Sequence, residues 1–149
     1  MTRLYTEIKI EASQRKVWYA LYEKQDWFKW NTFLWDRNPN QPFILNQEVT
    51  LAVRRRPHEE ETVFQPLVQV LQPEICLSWI AEIPGFRNQT VFELQEIGLG
   101  RTKYIYHQEF SGWLTRVFLP FIQEDEKRGM ERMAYELKEY VEGQRTGSH

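Results

Sequence analysis

The residues best suited to chemistry lie on one alternating run and on one helical stripe. From Arg101 to Phe110 the sequence RTKYIYHQEF alternates, so Thr102, Tyr104, Tyr106, Gln108 and Phe110 share one face of a strand. Lys103, His107 and Glu109 take the other face, and Ile105, on that same outer parity, is expected to meet solvent. Two phenols and an amide can anchor a ligand, and Tyr106 can deliver a proton, with Gln108 assisting. Such tyrosines serve equally as core residues whose hydroxyls bond to backbone. Near the C-terminus Ile122, Met130, Met133, Leu137 and Val141 fall at three- and four-residue steps from about Pro120 to Glu142. Glu126 sits on that stripe, four residues after Ile122 and four before Met130. It is either a tuned acid or a stripe-edge carboxylate snorkelling to water. Met130 and Met133 read as core or as an adaptable pocket floor, and Gly129, costly inside a helix, signals close approach by something bulky.

Other chemistries lack their residues. His58 lies in a loop, His107 points outward and His149 ends the chain, so no histidine pair has metal-ligand spacing. Cys76, the only cysteine, falls on the parity opposite Leu77 and Trp79 and reads as a small buried or half-buried residue rather than a nucleophile. No nucleophile elbow, phosphate loop or dinucleotide fingerprint is present. Neither a metal nor a cofactor is expected, and any catalysis must run on proton transfer and positioning.

Composition narrows the partners. Nineteen basic and twenty-one acidic residues give a net charge of −2, which recruits neither nucleic acid nor an anionic bilayer. The Arg54–Arg56 run is followed at once by HEEE and reads as a self-neutralised, solvated hairpin tip. No stretch approaches the roughly 20 apolar residues of a membrane span, so stable membrane insertion is not expected; with a lone cysteine and no apolar leader the expectation is a cytoplasmic protein.

The 149 residues, 15% of them aromatic, suit one domain with one core. A strand over Tyr5–Glu11 precedes a helix capped by Ser13 and running to about Leu21; Lys16 stands where a capping box would want Glu or Gln. A second short helix is expected to hold Trp27 and Trp30, followed by an Asn-, Pro- and Gln-rich loop from Asn31 to Gln47. Five strands in a meander come next: one holding Val49, Leu51 and Val53, then Thr62–Gln72, Ile75–Glu82, Asn88–Ile97 and Arg101–Phe110. The long helix closes the domain at about residue 142, and 143–149 read as a flexible tail. This order is α+β, with one face of an antiparallel sheet buried against the helix.

Several motifs in series resemble the START-like helix-grip (SRPBCC) superfamily, in its polyketide cyclase/dehydrase and lipid-transport-like branch. Val17-Trp18 with Leu21, then Trp30-Asn31-Thr32-Phe33, is similar to the family's W-N-P-F region. Pro66, Val68 and Val70, leading through Pro73 to Leu77 and Trp79, resemble its P-x-V then L-x-W pattern, and Arg101-Thr102 with Glu109-Phe110 and Gly112 its ending. Thr32 replaces the usual proline, Gln47 a common glycine, and Arg101-Thr102 reverses the usual order.

The resemblance implies a curved sheet of about six strands wrapped around the C-terminal helix, two short helices after the first strand, and a cavity between sheet and helix. Strand parity then turns Leu51, Val53, Trp79, Thr90, Phe92, Tyr104, Tyr106 and Gln108 toward that cavity, with Met130 and Met133 opposite. Trp30, Phe33 and Trp35 are expected near its mouth, and Trp18 in the core. The implied function is binding or carrying a hydrophobic or amphipathic small molecule. The alternatives are a cofactor-free polyketide cyclase/dehydrase-like enzyme using Tyr106, Gln108 and Glu126, or a protein-interaction module.

Overall fold

The computed structural model describes residues 2–147. Strand β1 (Thr2–Ile10) leads into helix α1 (Gln14–Tyr22) and a 3-10 helix (Lys24–Lys29). Ser13 caps α1 as expected: its backbone is extended and its hydroxyl accepts the Lys16 amide at 3.3 Å. The 3-10 turn buries Trp27, whose indole donates to the Leu21 carbonyl at 3.0 Å, while Trp30 follows as its C-terminal cap.

Strands β2 (Leu34–Asp36), β3 (Leu51–Val53), β4 (Thr62–Phe64), β5 (Leu67–Gln72), β6 (Cys76–Ile83), β7 (Phe86–Gly98) and β8 (Arg101–Ser111) come next, before helix α2 (Thr115–Gly147). They form a five-stranded antiparallel sheet in the order β1-β8-β7-β6-β5 and a three-stranded one in the order β2-β3-β4. Three expectations need correcting. The segment from Asn31 to Gln47 is not all loop, because Leu34–Asp36 pairs antiparallel with Leu51–Val53. The run Thr62–Gln72 is two strands, parted at Gln65-Pro66, where proline has no N–H for a ladder. The final helix begins at Thr115, so Pro120 lies inside it. Of the expected tail, residues 148 and 149 lie outside the described residues, and α2 continues through Gly147.

The core follows the two periodicities. On β8 Thr102, Tyr104, Tyr106, Gln108 and Phe110 are all buried, and on β7 so are Asn88, Thr90, Phe92 and Leu94. Ile105 departs from the expectation of an exposed position, being only 6% exposed between Glu7 and Glu93 of the flanking strands. Helix α2 lays Met130, Met133, Ala134, Leu137 and Val141 onto the sheet. Trp18 joins them, stacked on Tyr22 at 5.8 Å between ring centroids.

Candidate functional site

A break in the sheet creates the site. The β5–β6 ladder ends at the pair Leu67–Ile80, and β4 beyond Pro66 pairs only with β3. Between β4 and the free edge of Ala81–Ile83 opens a cavity of about 280 Å³. Leu34, Val53 and Phe64 wall it from the small sheet, and Trp79, Phe86 and Phe110 from the large one. Its volume falls just below the usual 300–1,000 Å³ of a small-molecule site, and its lining is mostly apolar. Exposed Val63 and Ile83 stand at its edge, and Phe86 on its wall meets exposed Phe118 edge-on at 6.3 Å.

Six polar side chains line this cavity: exposed Thr62 and Glu82 at its edge, and Thr90, Tyr106, Glu126 and Arg55 further along its wall. Behind them runs a chain of hydrogen bonds whose direction is fixed by one member. Glu126, 4% exposed, is an acceptor as a carboxylate, so Gln108 must turn its amide nitrogen toward it, at 3.2 Å. Gln108 then presents its oxygen to Asn88 Nδ2 at 2.8 Å, and Asn88 its oxygen to the Thr90 hydroxyl at 3.0 Å. The remaining Gln108 N–H faces the Tyr106 oxygen at 3.5 Å. From the opposite side Arg55 Nε donates to Glu126 Oε1 at 2.8 Å.

Electrostatics set the proton inventory. Burial, reinforced by the nearby Glu126 charge and by Tyr104, holds the Tyr106 hydroxyl well above the usual phenol range, with Arg55 opposing. Tyr106 is therefore a neutral proton donor at physiological pH. Burial alone raises Tyr104, whose hydroxyl has no hydrogen-bond partner among the described residues. Cys76, half-buried, is pushed up by desolvation and by Glu93, which makes it a poor nucleophile.

The expected site residues divide. Val53, Trp79, Thr90 and Tyr106 line the cavity, together with Glu126; Gln108 stands directly behind Tyr106 and Glu126. Leu51, Phe92, Tyr104, Met130 and Met133 are packed in the core beside it. Phe92 stacks obliquely on Tyr106 at 4.3 Å, a contact that adds about 0.5–1.5 kcal/mol and fixes the phenol ring. Trp30 stacks on Tyr140 at 6.0 Å, and Trp35 lies under the guanidinium groups of Arg37 and Arg54. Phe33 is fully buried against Gly129, where any Cβ would overlap its ring, and the adjacent Leu34 takes the cavity-lining place.

Arg55 corrects the reading of the arginine run as a solvated tip. Arg55 bonds Glu126 and Arg56 bonds Asp125, both on α2, while Arg132 of the same helix donates to the Arg54 carbonyl at 3.1 Å. Acceptors on α2 thus take the charges of Arg55 and Arg56, while Glu61, the last residue of the HEEE run, meets Arg54 at 3.9 Å as that run was expected to. Asn88 was also missed, although its parity with Thr90 and Phe92 marks it as inward. His107 lies on the outer face beside Glu93, and His149 lies outside the described residues. Among the described residues no group of three or more His, Cys, Asp or Glu converges to hold a metal ion, and no helix is long and apolar enough to cross a membrane.

This architecture is the START-like helix-grip (SRPBCC) fold. A START superfamily protein from Mycobacterium smegmatis superposes with a TM-score of 0.70 at 16% identity, over 95% of this chain and 97% of its own. A protein from Nitrosomonas europaea matches with a TM-score of 0.72 at 16% identity, over 97% and 96% of the two chains. The di-domain ARO/CYC BexL of the BE-7585A biosynthetic pathway matches with a TM-score of 0.69 at 13% identity, over 95% of this chain and 47% of its own. No family model and no curated protein sequence matches the chain.

Proposed function

We propose that this protein binds or carries a hydrophobic or amphipathic small molecule in the cavity between β4, the large sheet and α2. The observation that carries this reading is a mostly apolar cavity of about 280 Å³ in which Thr90, Tyr106, Glu126 and Arg55 belong to one connected network. That combination is what a small-molecule site needs: shape for the apolar body and few convergent groups for orientation. Likeness to a START superfamily protein and to an ARO/CYC protein is in keeping with it.

The test is native mass spectrometry of protein taken from cells, with extraction of whatever is bound, and a thermal-shift panel of lipids, isoprenoids and phenolics. A ligand at 100 times its Kd adds about 2.7 kcal/mol and raises the melting temperature. Absence of any co-purifying molecule, together with a flat panel, removes the proposal.

A second reading, cofactor-free cyclase/dehydratase chemistry, is favoured by the association of Tyr106, Gln108 and Glu126. In it Tyr106 serves as the acid and Arg55 steadies developing charge on an oxygen, each a familiar kind of contribution to proton-transfer catalysis. Turnover of a polyketone analogue that is lost in Tyr106→Phe separates this enzyme from a carrier, which retains binding without turnover.

A further inference from the structure

The direction of the hydrogen-bond chain determines what its cavity end offers a ligand. Both Gln108 N–H groups are engaged, one on Glu126 and one on the Tyr106 oxygen, so the Tyr106 proton has no acceptor among the described residues. Arg55 meets Glu126 through Nε alone, and its Nη groups have no protein acceptor among the described residues. Thr90 spends its own proton on Asn88. Along the network the spare protons facing the cavity are then those of a phenolic O–H and a guanidinium fork, while at the edge exposed Thr62 carries a hydroxyl and exposed Glu82 is paired with Arg87 at 3.5 Å. Glu126, on the same wall, balances the Arg55 charge, so the polar end is rich in donors yet neutral overall.

We infer that the cavity selects apolar molecules ending in an uncharged carbonyl oxygen, a ketone or ester, held by Tyr106 and Arg55, over acids and over hydrocarbons of the same shape. This rests on the cavity being the binding site proposed above. A neutral carbonyl satisfies the donors without adding charge. A ligand carboxylate satisfies them too, but places a second anion beside buried Glu126 in a low-dielectric site. A hydrocarbon leaves the Tyr106 proton unpaired. The volume, equal to about nine liquid-water volumes, suits one fused-ring or single-chain molecule.

Three probes of one skeleton test this by isothermal titration calorimetry on the wild-type protein: 2-acetonaphthone, 2-ethylnaphthalene and 2-naphthoate. The ketone is expected to bind at least fivefold tighter than either of the others. Tyr106→Phe should weaken the ketone about two- to tenfold, the size of one hydrogen bond, and leave the hydrocarbon unchanged. Glu126→Gln should narrow the gap between naphthoate and ketone. Equal affinity for ketone and hydrocarbon, or tighter binding of naphthoate, overturns carbonyl selection while leaving the cavity as a binding site. Failure of all three to bind overturns both. The wild-type comparison decides the matter even where a variant does not fold.

Discussion

Lys24–Asp36 is an ion pair buried on both sides and Arg55–Glu126 one buried only on its carboxylate side, and they are finished differently. Lys24, 1% exposed, donates to Asp36 Oδ1 at 2.8 Å and to the Asn38 carbonyl at 3.0 Å, and faces the Phe43 ring at 5.8 Å. Two of its protons are held by protein oxygens and its charge faces an aromatic ring, within an aromatic core that includes Trp27, Phe43 and Trp79. Arg55 meets its carboxylate through one nitrogen and stands on a cavity wall with donors to spare. A charge whose donors are consumed by protein holds the fold together; one left partly unspent is available to something else.

The sharpest way to break this contrast is Lys24→Met, which strands a buried Asp36 carboxylate. We expect a loss of about 3–5 kcal/mol in urea unfolding, with affinity for any cavity ligand unchanged in the protein that remains folded. Gly129→Ala probes the partition between the two regions, since its methyl would overlap the ring of Phe33, whose chain neighbour Leu34 lines the cavity. Overpacking should cost about 1–3 kcal/mol even against the roughly 1 kcal/mol gained in helix propensity, and a variant as stable as wild type would show that Phe33 is free to move.

The tyrosines give a smaller, pH-dependent effect. Tyr104 and Tyr106 are both held above the ordinary phenol value near 10, so the folded state keeps protons that the unfolded chain releases. Their contribution is fully present below about pH 10 and is lost as pH rises above it toward the folded values. Urea midpoints measured from pH 8 to 11 should fall on the alkaline side, and Tyr106→Phe should flatten that fall. The smallest effect belongs to Arg56, whose side chain is 66% exposed: Arg56→Ala should change stability by about 0–1 kcal/mol and ligand affinity not at all, whereas Arg55→Ala should weaken a bound ketone.

Alternation and helical spacing made much of this architecture legible. The inward set on β8, the stripe on α2 and the Ser13 cap follow from local sequence, and so did the nomination of Tyr106, Gln108 and Glu126. Ile105 was misread because side chains of neighbouring strands cover an outer-face residue that alternation assigns to water. What local sequence does not carry is long-range pairing. Arg55 and Glu126 are 71 positions apart, so a run that looked self-neutralising gave no sign that α2 would receive its charges. Strand β2 is three residues inside a turn-rich segment, and only its pairing with β3 makes it a strand. Gly129 did signal a close neighbour, but only the fold names Phe33.

The parting of the sheet at Gln65-Pro66 has a mechanical consequence. No ladder hydrogen bonds join β4 to Ala81–Ile83, so parting β4 from that edge breaks side-chain contacts, the ion pairs of Arg55 and Arg56 with α2 and the Arg132 bonds to the Arg54 and Arg55 carbonyls, but no strand pairing between β4 and β6. Entry for a guest thus costs far less than unzipping a ladder would. The same seam leaves β6 with an open edge, the kind of template that invites a foreign strand; exposed Glu82 within it and Pro84 just beyond it are residues that make such an edge unwelcoming.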